Sequence, residues 1–118
     1  MANNLYTTTV TIANGASLSD AAELGGMNLV GILMPASWTA AGLTFQASPD
    51  GSTYGNVFDV TGTEVAVASS GAVAAQYVVI PAGGLDGCAF VKVRSGTSGS
   101  AVNQGAARTV TLIARRYM

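Results

Sequence analysis

Six carboxylates and no histidine frame the chemistry open to this sequence. Asp50, Asp59, Glu64 and Asp86 are the ones that could pair for glycoside hydrolysis, one as acid and the other as base or nucleophile. Asp50 and Asp86 each precede a glycine, a dipeptide that belongs to tight turns. Without histidine, the commonest general base and metal ligand is missing, and Cys88, the one cysteine, has no partner for a Cys-His nucleophile pair. Cys88 reads instead as a small buried apolar residue, and no intramolecular disulfide can form. The sequence predicts no catalytic residue, no cofactor and no metal centre, so the chain is not expected to be an enzyme. The ligand chemistry that is left is a calcium or sugar contact through Asp50, Tyr54 and Asp59. Two carboxylates are fewer oxygens than calcium prefers, so carbonyls would have to supply the rest.

Surface contacts offer more. Trp38, the one tryptophan, stands between Pro35 and Gly42 where the chain turns. It reads as an anchor packed under that loop, or as a hot spot or stacking platform in an interface, since indole joins a large apolar face to a single donor. Lys92 and Arg94 alternate onto one strand face, which Arg115 joins if the last two strands pair. All five cations fall after residue 91, whereas five of the six acids fall before residue 65, an asymmetry that predicts a two-ended molecule. The basic face is either an ordinary solvated surface or a dock for an acidic one. Asn103 and Gln104 sit in a Gly-, Ser- and Ala-rich stretch, Gly96 to Ala107, which reads as a long ordered contact loop.

These residues need strands to position them. Alternation with a period of two, carried by β-branched and aromatic residues, recurs along the chain. In the first segment Tyr6, Thr8, Val10 and Ile12 share one face, with Thr7, Thr9 and Thr11 on the other. In the last, Val110, Leu112 and Ala114 oppose Thr109, Thr111, Ile113 and Arg115. Between them lie Asn28 to Met34, Leu43 to Ser48, Val57 to Asp59, Glu64 to Ala68, Gln76 to Ile80 and Ala89 to Ser95. Asn28 to Met34 is apolar at nearly every position and reads as a central strand, with Gly31 marking a bulge or the close approach of another backbone. Asn14-Gly15, Asp50-Gly51, Gly83-Gly84 and Asp86-Gly87 supply the turns. Ser19 to Leu24 reads as one short turn of helix capped by Ser19 or Asp20. Residues 1–118 thus read as a single all-β domain, an antiparallel β-sandwich or jelly roll of about eight short strands.

The composition says what such a sandwich shows to its surroundings. Gly, Ala, Ser and Thr make up roughly half of the 118 residues, and only 9% are charged, against about 25% in an ordinary soluble domain. Short neutral side chains leave few ions to hydrate the surface or repel neighbours, so the chain is suited to being packed against something else. A net charge of −1 offers no general attraction to nucleic acid. The greasiest stretch, Met27 to Ala36, is about half the length needed to span a bilayer as a helix. The N-terminal residues show no basic region followed by an apolar run, so no secretory signal is expected. Neither nucleic acid nor membrane is expected as a partner.

Two resemblances add to this. Ser48, Asp50, Gly51 and Tyr54 match the S-x-D-G-x-x-aromatic turn of discoidin-like, galactose-binding jelly rolls, and Phe90 to Arg94 looks like that family's basic strand. The resemblance implies a jelly-roll fold. Met34 to Ala41 leading into Leu43 to Ser48, with Arg94 to Gly99 further on, resembles small virion proteins of tailed bacteriophages. It implies a particle component such as a capsid decoration protein, located in a virion assembled in the host cytoplasm. The expected partners are then the major capsid protein or other virion proteins, together with further copies of the chain. The expectation is a non-enzymatic decoration or cement subunit. The alternatives are a carbohydrate-binding adhesion module that uses Trp38, Tyr54 and loop polar groups, and a tail or connector subunit.

Overall fold

Threonine alternating with valine or isoleucine builds the two longest strands, which pair with each other from opposite ends of the chain. The structure, a computed structural model, describes residues 5–80, 85 and 87–116. Among these, nine strands form and no helix does: β1 (Leu5–Ile12), β2 (Leu18–Glu23), β3 (Asn28–Leu33), β4 (Leu43–Ser48), β5 (Gly55–Asn56), β6 (Ala66–Val67), β7 (Tyr77–Val79), β8 (Phe90–Ser95) and β9 (Arg108–Arg115). The first sheet runs β1-β9-β3-β7 and the second β2-β8-β4-β5, with β6 also beside β4, and every pairing is antiparallel. The pairing is nested: β1 meets β9, β2 meets β8, β3 meets β7, and β4 meets β5 and β6. One long hairpin has wrapped around a core, which is the jelly-roll topology.

Inward positions of both sheets meet in one apolar cluster, in which Ile32, Leu43, Phe45, Val91, Val93, Val110 and Leu112 have no solvent exposure. Each such side chain contributes about 1.5–3 kcal/mol of burial. The central position of β3 is as expected, and its register with β9 shifts between Leu29 and Gly31. What approaches Gly31 is a ring and not a backbone. A Cβ built there would stand 2.9 Å from the Tyr77 ring.

Three expectations are corrected. Ser19 to Leu24 is not a helical turn but most of β2. Ser19 Oγ accepts the N–H of Val93 at 2.9 Å, and Asp20 Oδ1 accepts the N–H of Thr11 at 2.8 Å, so contacts far away in sequence override the local capping signal. Val57 to Asp59 forms no strand beyond a single Phe58–Glu64 bridge, β5 lying just before it, and Glu64 to Ala68 shrinks to β6, because Asp59 folds the chain between them into a tight turn. Finally, β8 and β9 do not pair. They lie in opposite sheets, and residues 96–107 cross between them. The Asn14-Gly15 and Asp50-Gly51 turns form, with Gly15 and Gly51 at positive φ. Gly83-Gly84 and Asp86 lie outside the described residues.

Candidate functional site

The second sheet presents its polar line through β8 and β4, where Lys92 pairs with Gln46 and Arg94 with Thr44. Arg94 is not an exposed cation. It is buried, its Nη1 donates to Thr44 Oγ1 at 3.2 Å and meets Glu64 Oε2 at 3.4 Å, and its Nη2 donates to Asn56 Oδ1. Ser98 N–H donates to both oxygens of the same Glu64. The expected docking face therefore loses Arg94 to an internal clamp that ties the 57–65 hairpin and the crossing segment to β8. Lys92 is half-buried with its Nζ 4.3 Å from the centroid of the Tyr54 ring, a cation–π contact that covers one aromatic face. Arg115 does not join them, because β9 belongs to the other sheet. The two-ended charge distribution is likewise undone by the topology. β2, with Asp20 and Glu23, lies beside β8, with Lys92 and Arg94.

At the end of the sandwich where β4 begins, Gln104 is buried and every polar atom of its side chain is used. Its Oε1 accepts from Thr39 N–H at 2.9 Å and from Arg108 Nε at 3.0 Å, while Nε2 donates to Thr39 O and to Ser95 Oγ at 2.7 Å. Its backbone bonds Gly15 and Ala16. Gln104 faces inward as the pin of four segments, and of the two polar residues expected to make contacts in this stretch only Asn103 is exposed. Trp38 is half-buried, packs against the core and donates its Nε1–H to Ala41 O at 3.1 Å.

Trp38 and Tyr54 flank opposite ends of β4. Ala41, the partner of Trp38, precedes its first residue, and Gly55, which follows Tyr54, pairs with Ala47 near its last. The structure does not bring the two aromatics to one surface. The acids behave similarly, each serving its own turn. Asp50 Oδ1 accepts from the N–H groups of Ser52 and Thr53 and from Ser48 Oγ, and these bonds hold its carboxyl below the ordinary aspartate range. Asp59 Oδ1 accepts from Thr61 Oγ1 at 2.6 Å and from the N–H groups of Thr63 and Thr61, which lower it in the same way. Among the described residues, no three Cys, Asp or Glu side chains converge. A groove of about 260 Å³ beside β6, lined by Gly42, Leu43, Val67 and Ala68 among others, carries no charged side chain.

The outer face of the first sheet is different in kind. Two rows cross all four strands, Val79–Gly31–Ile113–Thr7 and Tyr77–Leu33–Thr111–Thr9, with Thr11 and Thr109 paired beyond them. Val79 is 74% exposed and Tyr77 55%. Arg115, exposed at one end, is the charged residue among the described strand positions of this face. The threonine side of it was visible as alternation in the first and last segments. That Leu33, Tyr77 and Val79 complete it follows only from the pairing of β3 with β7 and β9.

No protein-family model matches the chain, and no curated protein matches it. Among solved structures it is similar to the crystal structure of the Yersinia pseudotuberculosis-derived mitogen (YPM), at 11% identity and a TM-score of 0.43, over 98% of this chain and 88% of that one. A likeness at that level transfers no function, and the fold stands on the strand pairing itself.

Proposed function

We propose that this chain is a non-enzymatic structural subunit of a phage particle, a decoration or cement protein that packs on the capsid and against copies of itself. The observation that carries the reading is the outer face of the first sheet, four strands wide, with Arg115 as its charged residue and with Leu33, Tyr77 and Val79 exposed. Exposed apolar side chains grouped beside a field of neutral threonines, on a chain with 9% charged residues, support a protein contact. The phage setting rests on the resemblance of Met34 to Ser48 and of Arg94 to Gly99 to small virion proteins. Removing the face from water gains about 25 cal/mol per Å² of apolar area, and threonine, alanine and glycine have few rotamers to freeze on binding. Repetition over a shell multiplies weak contacts by avidity.

The test is a density map of whole particles. The expected result is this chain in symmetric copies on the shell, with the first sheet's outer face against a neighbour and with particles lacking it more sensitive to heat. Absence from particles, or a purified chain that stays monomeric at its highest soluble concentration, overturns the reading.

A further inference from the structure

Among the described residues the two sheets have four edges, and three of these are protected. β7 ends the first sheet with three residues, and β5 and β6 end the second with two each, too short to template a partner strand. β2, at the other end of the second sheet, carries a register shift between Leu18 and Ala21 and the charged Asp20 and Glu23. Bulges and charges both keep foreign strands away. β1 has none of these devices. It runs eight residues without charge, proline or glycine, and pairs with β9 residue for residue with no shift.

One hydrogen bond shows which peptide groups face outward. Thr11 gives its N–H to Asp20 Oδ1 at 2.8 Å and so does not give it to β9. In an antiparallel ladder alternate residues direct their peptide groups to the same side, so those of Thr9 and Thr7 also point away from β9. Both residues are exposed, and neither peptide meets another strand among the described residues. Among the described residues, Asp20 closes this edge at Thr11 and nothing closes it at Thr7 and Thr9.

We infer that β1 is an assembly edge, at which two copies join β1 to β1 antiparallel about a two-fold axis and fuse their first sheets into one. A two-fold seam places an edge against itself, so a charged edge would repel its own copy. β1 carries no charge of its own, and the Asp20 carboxylate that meets its edge does so at Thr11, two residues along from Thr9. Threonine would face threonine across the seam, the pairing β1 already makes with β9 at Thr9–Thr111 and at Thr11–Thr109, where the hydroxyls are 3.3 Å apart. The rows of the outer face then continue from one copy into the next. This contact deepens the particle reading by naming where copies meet, but it needs no particle to form.

Amide hydrogen exchange on the purified chain, followed across concentration beside sedimentation, tests it. The amides of Thr8 and Val10, bonded to β9, should be protected at every concentration. Those of Thr7 and Thr9 should exchange freely in dilute chain and slow at least about tenfold as the dimer forms. Thr9→Pro removes an N–H that β9 does not use, a position where an edge strand tolerates proline, and should weaken dimerisation by roughly tenfold or more with little change in melting temperature. If Thr9→Pro fails to fold, the wild-type exchange pattern decides. A dimer whose Thr7 and Thr9 amides still exchange freely, or a folded Thr9→Pro chain that dimerises normally, overturns the seam and leaves the particle reading intact. Protection of these amides only when another protein is added overturns the second copy as occupant. A chain that never associates overturns both proposals.

Discussion

Arg94 and Glu64 meet at 3.4 Å on the outer face of the second sheet, with their side chains 8% and 14% exposed. Thr44, Asn56 and Ser98 fill the hydrogen-bonding positions around them. A sheet position that looked like a docking cation is thus the centre of an internal network, and its removal is a question of folding.

Arg94→Ala leaves Glu64 without its counter-ion in a nearly dry site, and breaking such a pair from one side costs about 3–5 kcal/mol. Urea unfolding should show a loss of that order. Arg94→Lys keeps the charge but loses the planar fork, so it should recover only part of the stability.

Gln104→Ala removes the partner of Thr39 N–H, Thr39 O and Ser95 Oγ together. A buried polar group left unsatisfied costs about 1–3 kcal/mol, so the chain should lose about 3 kcal/mol in denaturant. The Thr39 amide should also lose its exchange protection.

The lowered carboxyls of Asp50 and Asp59 predict the acid limb of stability. A group with a depressed pKa in the folded chain stabilises it above the ordinary aspartate value of 3.8 and loses that contribution as the pH falls below it. The unfolding midpoint should fall with acidification through this window. Asp50→Asn and Asp59→Asn should each flatten that fall, and an unchanged acid limb in both variants would contradict the turn assignment.

Val79→Glu places a charge on the first sheet's outer face at a site already exposed. Stability should stay within about 0.5 kcal/mol, as for most surface substitutions, while occupancy on particles drops. Lys92→Glu, on the opposite sheet, is the control and should leave occupancy unaltered. The reverse pattern would move the interface to the second sheet.

Most of the strands were legible because their alternation is local. Val10 and Ile12 against Thr9 and Thr11, or Val91 and Val93 against Lys92 and Arg94, need only the period of a pleated chain to be recognised. β2 was not legible, since Leu18 to Glu23 carries a helix-start signal that only its bonds to β8 and β1 override. The candidate site residues divide along the same line. Asp50 and its turn could be read from Ser48, Pro49 and Gly51, all within reach along the chain. Arg94, Gln104 and Arg115 could not, because Thr44, Asn56 and Glu64 around Arg94, Thr39 at Gln104 and the β1 and β3 partners of Arg115 all lie 30 or more positions away.

From the sequence alone follow the all-β class, the turn chemistry, the lack of histidine and a surface poor in ions, since each depends on residue type and near neighbours. Which strands share a sheet, and therefore which charges are buried and which threonines line an open edge, was decided only by the nested pairing. The physical reason is that an alternating strand specifies which side faces the core but not which strand lies beside it. That choice is made by the packing of the whole core.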